Sequence, residues 1–289
     1  MKISLTIISF LFCLSAFSQT KYFVSTSGNN TNNGLSNVNP FLTIQFAINS
    51  AQSGDSIIVS QGTYQENINF SGKNVKVCSN FVYSGDTTVI SATIIDGNNI
   101  ILPVVNFSDF ESQNAHINGF KIRNGKGKNM VGYWGLATHG GGIFIKNASP
   151  VVKNCIITNN NCQNGGGIYA ENSQATFENV IIQNNNINQP NIPNGGSGLF
   201  LLNCNSNIIR CTIKDNKDNP TSGVSNYGGG GVLVFGGSTN IQSSKIIANY
   251  AKGYGGGISL YAGSSAFIEN TIISNWFIPI FEPDPIHCE

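Results

Sequence analysis

Residues 140–160 read Gly-Gly-Gly-Ile-Phe-Ile-Lys-Asn-Ala-Ser-Pro-Val-Val-Lys-Asn-Cys-Ile-Ile-Thr-Asn-Asn, and this stretch is one unit of a repeat. A glycine run followed by an apolar residue recurs four more times, once in the degenerate form Gly-Gly-Ser-Gly. The apolar residues that follow the runs are Ile143, Ile168, Leu199, Val232 and Ile258. Their spacings of 25, 31, 33 and 26 residues indicate a base period of about 25, with loop-like insertions near 188–194 and 218–227.

Each unit repeats one internal order: a glycine run, a short apolar strand, a small turn and a second strand that ends in a closely similar segment. The similar segments lie at 155–159, 180–184, 211–215, 245–249 and 271–275, with an earlier copy at 120–124. Short strands without helical periodicity form a unit that cannot bury its own apolar face. Stacked units can bury it, so the sequence predicts a solenoid whose neighbouring coils pair as parallel strands about 4.8 Å apart.

Two columns of equivalent residues follow from stacking the similar segments. The predicted inward column is Ile122, Ile157, Ile182, Ile213, Ile247 and Ile273. The predicted structural ladder at one turn of every coil is Asn124, Asn159, Asn184, Asp215, Asn249 and Asn275. An asparagine at such a turn can bond the backbone, adopt left-handed geometry and pair with the asparagine of the next coil. The glycine runs suit places where the coil turns too tightly for a Cβ.

The units resemble the right-handed parallel β-helix repeats of secreted bacterial proteins with the pectin-lyase-like fold, and are similar to repeats of polymorphic outer-membrane proteins. The stretches 22–25, 40–45 and 51–64 resemble the entry region of the same superfamily. The resemblance implies an all-β fold, a single-stranded right-handed parallel β-helix with a short N-terminal capping helix. It covers the chain to about residue 276. It identifies no function, because the superfamily holds lyases, hydrolases, esterases, adhesins and passenger domains.

Residues 1–18 have the pattern of a secretory signal peptide, with Lys2, an apolar run and small residues before a cut ahead of Gln19. No other stretch of sequence is long and apolar enough to predict a transmembrane helix. We therefore predict a protein that is secreted or held on the outer cell surface. The remaining predicted divisions are a cap region at 19–55, the β-helix at 56–276 and an irregular tail at 277–289.

Charged residues make up only 10% of the 289 residues, and the net charge is +1. Charges so few and so balanced give no electrostatic footprint for nucleic acid or for an anionic membrane surface. Stacking explains the scarcity, since like charges repeated about 5 Å apart would repel one another. The same scarcity leads us to predict no catalytic residue.

The candidate catalytic groups fall at scattered positions. Arg123 and Arg210 occupy different columns, and Glu178 and Glu269 share a column but lie three units apart, roughly 14 Å. That separation is too large for the paired carboxylates of a glycoside hydrolase. We interpret His139 as an exposed loop residue. No cofactor or metal is predicted, and calcium stays an open alternative because the carboxylates of the irregular early coils cannot be placed relative to one another.

Six cysteines remain after the predicted signal peptide, and export permits disulfides. Cys155 and Cys211 share an inward column two units apart, about 10 Å, which is too far for a bond. We interpret these two residues as small fillers of the core.

Aromatic residues in loops and turns give the remaining functional signal. The predicted ligand-binding residues are Tyr133, Trp134, Tyr227 and Tyr254, whose rings could stack on sugars or could instead pack over neighbouring coils. Two functions follow. The first is a non-enzymatic β-helix used in adhesion, with a polysaccharide or cell-surface glycan as partner. The second is a polysaccharide lyase or glycoside hydrolase that acts on acidic polysaccharide.

Overall fold

A computed structural model describes residues 19–132, 135–187, 195–218, 228–252 and 254–276, with only the main chain described at Trp276. The chain winds into coils, and strands pair in parallel with the strands one coil before and after them. The strands lie on three faces, named A, B and C in the order in which the chain crosses them. This is the parallel β-helix that the repeats predict.

The first coils carry three short helices between their strands. Their elements are β1 (Lys21–Val24, face A), α1 (Ile44–Ser50), β2 (Ser56–Val59, A), β3 (Gly62–Tyr64, B), β4 (Ile68–Asn69, C), β5 (Lys76–Ser79, A), α2 (Phe81–Ser84), α3 (Thr88–Ala92), β6 (Thr93–Asp96, B), β7 (Val105–Phe107, C), β8 (His116–Asn118, A) and β9 (Lys121–Arg123, B). Because β1 pairs in parallel with β2, the first sheet begins inside the segment 19–55 that the sequence assigns to the cap.

A hairpin and the regular coils follow. The hairpin is β10 (Lys128–Gly132) and β11 (Gly135–His139). The regular coils contain β12 (Ile143–Lys146, C), β13 (Val151–Lys153, A), β14 (Ile156–Thr158, B), β15 (Asn161–Cys162, B), β16 (Ile168–Glu171, C), β17 (Thr176–Glu178, A), β18 (Ile181–Gln183, B), β19 (Asn186–Ile187, B), β20 (Leu199–Cys204, C), β21 (Asn207–Ile209, A), β22 (Thr212–Lys214, B), β23 (Lys217–Asp218, B), β24 (Val232–Gln242, C continuing into A), β25 (Lys245–Tyr250, B), β26 (Ile258–Tyr261, C), β27 (Ser265–Glu269, A) and β28 (Ile272–Trp276, B).

The core fills the space between the three faces with columns of inward side chains. On face B the column runs Ile122, Ile157, Ile182, Ile213, Ile246 and Ile273. The member on β25 is thus Ile246 and not the predicted Ile247, because Thr212 pairs with Lys245 and shifts the register of this coil by one residue. Two adjacent isoleucines fit the sequence pattern equally well, but the pleat points only one of them inward.

The asparagine ladder also differs from the predicted one. Asn124, Asn159, Asn184 and Asp215 have left-handed backbones with φ of 61, 56, 53 and 55°, and Ala248 continues this column at 54°. The hydrogen-bonded ladder lies one residue later. It consists of Asn160, Asn185, Asn216, Asn249 and Asn275, and each of the first four donates its side-chain Nδ2 to Oδ1 of the next at 2.9–3.0 Å. Of the six predicted residues, Asn249 and Asn275 are therefore in the ladder and four are turn residues.

The ladder is buried, and this explains its position. Asn160, Asn185, Asn216 and Asn249 are fully buried, and each also donates Nδ2 to a main-chain carbonyl of the preceding coil. The left-handed residue before each of them bends the chain and leaves the next side chain pointing inward. A run of two asparagines in the sequence thus serves two purposes, first the turn and then the ladder.

Helix α1 caps the N-terminal end of the core, as the sequence predicts. Thr43 accepts a hydrogen bond from the main chain of Phe46, and Ile44, Ala47 and Ile48 are buried. The helix is held from outside at both ends. The Glu66 carboxylate accepts from the first two main-chain N–H groups of α1, at 2.9 Å each. Lys73 Nζ donates to three main-chain carbonyls where the helix ends, at 2.7–2.9 Å.

Candidate binding groove beside the hairpin

The outer surface of face C carries an aromatic column that is completely buried. Phe144, Tyr169, Phe200 and Leu233 stand in register on successive coils and point away from the core, yet none of them is exposed. They form a second apolar cluster, separate from the core. Stacked and edge-on ring contacts at 5.3–5.7 Å join Tyr169 to its two neighbours.

The hairpin packs on this column. Its strands pair from Lys128 with His139 to Gly132 with Gly135, and its residues alternate between covered and exposed. Met130 packs against the aromatic cluster, whereas Val131 is 74% exposed. This alternation is typical of a strand with one face on an apolar surface.

The aromatic column changes to amides on the N-terminal side of the hairpin. Phe144 pairs with Asn106 on β7, and Asn106 pairs with Asn69 on β4. Here the outer face opens into a groove of about 190 Å³. The lining residues are Asn67, Ile68, Asn69, Leu102, Pro103, Asn106 and Lys128.

Hydrogen bonds hold the amides of the groove in place. Asn106 Nδ2 donates to Asn69 Oδ1 at 2.9 Å and to Ser108 Oγ at 3.0 Å. Asn67 Nδ2 donates to the Pro103 carbonyl at 2.9 Å. The buried Oδ1 of Asn106 has no hydrogen-bond partner within the described residues. Fixed amides of this kind suit a ligand that carries hydroxyl groups.

Lys128 and an apolar loop complete the groove. Lys128 Nζ lies 5.1 Å from the ring centre of Phe144, close enough for a cation–π contact. Leu102 is 45% exposed and stands beside Pro103 at the other wall. The lining therefore combines one cation, three amides and an apolar edge. It contains no carboxylate among the described residues.

His139 closes the hairpin and is buried, which contradicts its interpretation as an exposed loop residue. It is 1% exposed, and its ring meets Tyr169 edge-on at 4.7 Å. Neither ring nitrogen has a hydrogen-bond partner within the described residues. Burial, together with the charge of Lys146, lowers the pKa of His139 to about 4.

Glu171 and Glu178 of the regular coils are paired with cations, and Glu171 bonds Lys146 at 2.9 Å. Glu178 bonds Lys153 at 2.6 Å and pairs with Arg210 on the next coil. The hydrogen bond from Lys153 is the main cause of the lowered pKa of Glu178. The register places Glu178 and Glu269 three coils apart in one column, as the sequence predicts.

Asp96 and Arg123 meet where β6 and β9 end on face B, 2.7 Å apart. Burial opposes ionisation of Asp96, but hydrogen bonds from Asn124, the Asn98 main chain and Arg123 outweigh it and lower the pKa of Asp96. A carboxyl group with a lowered pKa is a poor general acid near neutral pH.

Of the predicted ligand-binding aromatic residues, the structure describes Tyr254 alone. Tyr133, Trp134 and Tyr227 lie outside the described residues. Tyr254 is partly exposed, and its carbonyl accepts hydrogen bonds from Gly229 and Ser259 near the C-terminal coils. Sequence reasoning missed the groove because β4 and β7 have no glycine run before them. The available signal was the outward column itself, in which asparagine replaces an aromatic residue.

Within the described part of the chain, no three His, Cys, Asp or Glu side chains lie close enough to hold a metal ion. Five cysteines there are buried and form no disulfide: Cys78, Cys155, Cys162, Cys204 and Cys211. Cys155 and Cys211 are fillers of the core, as the sequence predicts. No helix of the described residues has the length and apolar character needed to cross a membrane.

Residues 141–277, slightly less than half of the chain, match the family model described as right handed beta helix region. This match confirms the right-handed parallel β-helix. None of the curated proteins matches the sequence.

Solved structures with a similar course of the chain include pectin-processing enzymes. Pectin methylesterase from Aspergillus niger is 12% identical over 92% of each chain, with a TM-score of 0.38. A pectin methylesterase mutant in complex with a hexasaccharide is 11% identical over 80% of each chain, with a TM-score of 0.37. A pectate lyase is 16% identical over 89% of this chain and 79% of its own, with a TM-score of 0.30. At these values the likenesses assign neither an activity nor a ligand to the chain.

Proposed function

We propose that this right-handed parallel β-helix is a secreted or cell-surface protein that binds carbohydrate without catalysis, in the groove between Leu102 and Lys128. The observation that carries the proposal is the change along the outer column of face C. Beneath the hairpin this column is aromatic and covered, and beside it the column is asparagine and open. A preformed opening with a mainly apolar lining and a few fixed polar groups is a typical ligand site.

The chemistry of the lining fits a sugar ring. Asn67 Oδ1 and Asn69 Nδ2 supply an amide acceptor and an amide donor for hydroxyl groups, while Asn106 holds the Asn69 side chain in place. Leu102 and Pro103 offer an apolar surface for the C–H face of the ring. The groove is smaller than the roughly 300–1,000 Å³ typical of sites for drug-sized ligands. We therefore expect it to hold a single sugar residue of a longer glycan.

Binding without catalysis is favoured over the hydrolase alternative by the composition of the groove. Glycoside hydrolysis needs two carboxyl groups that flank the scissile bond. The described lining supplies a single ammonium group and no carboxylate. Export is supported by the signal-peptide pattern of residues 1–18, and fractionation of the expressing cell is its direct test.

A glycan array followed by calorimetry tests the proposal. The groove variants are Lys128→Met, which removes the cation, and Leu102→Asp, which places a charge on the apolar wall. Their controls on face B are Lys245→Met and Ile272→Asp, which alter exposed residues outside the groove. We expect each groove variant to weaken glycan binding about tenfold or more, Lys128→Met by losing a charged hydrogen bond and Leu102→Asp by burying a carboxylate against the sugar ring, and the controls to leave it unchanged.

Two results would overturn the proposal. One is an absence of binding to neutral and acidic glycans alike, and the other is binding that the groove variants do not alter. An ultraviolet assay for unsaturated sugars, run on uronic-acid polymers, covers the lyase alternative. A rise in absorbance with the wild type that is abolished in Lys128→Met would show that the groove is the active site of a lyase.

A further inference from the structure

We propose that the hairpin β10–β11 is an acid-released clamp on face C, docked at neutral pH and freed from the aromatic column when His139 takes up a proton. The release is a property of the hairpin alone. Only its consequence for ligand binding rests on the function proposed above.

The position of His139 ties the hairpin to the coil. It is the last residue of β11 and pairs with Lys128, the first residue of β10. Its ring lies between the hairpin main chain and Tyr169. A Cβ built on Gly132 would stand 2.8 Å from the ring Cε1 and 3.0 Å from Nε2, so the fit around the imidazole is tight.

The docked site has no group to receive an imidazolium. A neutral imidazole has one donor and one acceptor, and both ring nitrogens of His139 lack hydrogen-bond partners within the described residues. Protonation would add a second donor and a full charge to the same buried position. Undocking removes that penalty, because water then solvates the ring.

The charged and titratable groups around the ring also disfavour a cation. The positive charge of Lys146 on β12 disfavours protonation of the His139 ring. The second nearby ammonium group, that of Lys128 on β10, lies over the Phe144 ring. The carboxylate of Glu171 on β16 already uses both oxygens, accepting from Lys146 at 2.9 Å and from the Tyr169 hydroxyl at 3.1 Å. The remaining neighbours are neutral, since burial raises the pKa of the Cys162 thiol on β15 to about 12 and that of the Tyr169 phenol still further.

Glycines flank the hairpin on both sides. Gly127 precedes β10 and Gly140 follows β11, and both have positive φ, at 80 and 65°. Glycines at both bases allow the hairpin to swing with little strain. A two-stranded hairpin is marginally stable by itself, so its place depends on its contacts with face C and on the main-chain hydrogen bonds that the Thr138 carbonyl accepts from Gln163 and Asn164. Lys128 belongs to β10 and lines the groove, so release of the hairpin removes one wall of the groove.

The pH range follows from the two states of His139. Its pKa is about 4 when docked and about 6.5 when free, so the docked form prefers the neutral ring. Docking is fully favoured above pH 6.5 and weakens as the pH falls toward 4. At pH 5 the docking equilibrium is about 30-fold less favourable than at pH 8.

Amide hydrogen exchange of residues 128–139 between pH 8 and pH 5 tests the clamp, with rates corrected for the intrinsic pH dependence of exchange. In the wild type we expect protection of these amides to fall about 30-fold, while protection of β14 and β18 stays constant. His139→Phe keeps an uncharged ring in the site and should remove the pH response. The control is His116→Gln, which replaces a histidine of β8 that bonds the Gln113 carbonyl. This variant should keep the pH response of the hairpin.

Two outcomes would overturn the clamp: hairpin protection that does not change with pH in the wild type, and a pH response that persists in His139→Phe. Should His139→Phe fold poorly, an NMR titration of the wild-type imidazole decides, since an apparent pKa near 6.5 without a change in exchange contradicts the proposal. Glycan affinity at the two pH values is measured separately. A hairpin that releases in a protein that binds no glycan would leave the clamp standing and remove the proposed function.

Discussion

The side-chain amide of Gln45 forms two hydrogen bonds with the main chain of Asn69, donating Nε2 to its carbonyl at 3.1 Å and accepting from its N–H at 2.6 Å. Asn69 lies on β4, the edge strand of face C. The amide of Gln45 thus takes the place of the missing neighbouring strand. Edge strands template aggregation when their backbone groups are left unpaired, so this pair seals an edge.

Replacing Gln45 with Ala should reopen that edge. The N–H and carbonyl of Asn69 lose their partners, and we expect the free energy of unfolding to fall by about 1–3 kcal/mol. Urea unfolding followed by circular dichroism measures the change, and light scattering measures any aggregation. Gln174→Ala, at an exposed site outside the edge, is the matched control. Equal stability of the two variants would contradict the sealing role.

The two asparagine columns should respond differently to substitution. Asn216→Ala removes a buried amide whose Oδ1 accepts from both the main chain and Nδ2 of Asn185, so it leaves several polar groups unpaired. We expect a loss of about 2–4 kcal/mol in unfolding free energy. Asn184→Ala affects a left-handed residue and should cost about 1 kcal/mol, whereas Asn184→Gly should be close to neutral. Thermal and urea unfolding of the three variants makes the comparison, and equal losses at the two positions would contradict the assignment of the ladder.

The buried cysteines should resist alkylation in the folded protein. Burial raises the pKa of Cys78 to about 11 and that of Cys155 and Cys211 to about 12, so almost no thiolate forms at pH 8. We expect iodoacetamide to modify these residues only after denaturation. Peptide mapping by mass spectrometry measures the extent of labelling at each site. Rapid native labelling of Cys155 would show that the core column opens readily.

The ion pairs of Glu178 should make the melting temperature fall more steeply as the pH is lowered. Because Lys153 and Arg210 hold its pKa below the usual value, its ionised form stabilises the folded state above about pH 4.5, and that contribution is lost as the pH falls through the lowered pKa. Glu178→Gln should therefore flatten the acid limb of a plot of melting temperature against pH. Glu269→Gln is the matched control in the same column, where the carboxylate bonds the neutral Gln242. An unchanged acid limb in Glu178→Gln would mean that these ion pairs contribute nothing to folding.

The coil could be predicted from the sequence because stacking forces equivalent residues into columns. The spacing of the glycine runs predicts the pairing of Ile143 with Ile168 and of Ile168 with Leu199, which the structure has. The prediction slipped by one residue at 245–249, where Ile246 and Ile247 fit the pattern equally. The insertion before this coil removes the fixed spacing that sets the register in the other coils.

The groove could not be predicted from the sequence, because its parts come from coils without the repeat. Asn69, Asn106 and Lys128 are far apart in the sequence and meet through the pairing of β4, β7 and β12 with the hairpin above them. His139 was misplaced for a related reason. A residue between a polar segment and a glycine run has the local pattern of a loop, and only the packing of the hairpin on Tyr169 buries it.

Each rung of the ladder receives from one neighbour and gives to the other in the same way, since Asn185 donates toward Asn216 as Asn216 donates toward Asn249. A duplicated unit of about 25 residues inserted between two such coils would find a donor on one side and an acceptor on the other. Copying errors in the gene can therefore lengthen or shorten the molecule in whole coils. The length of the β-helix can therefore differ between related genes by whole coils, while the groove near the first coils is unchanged.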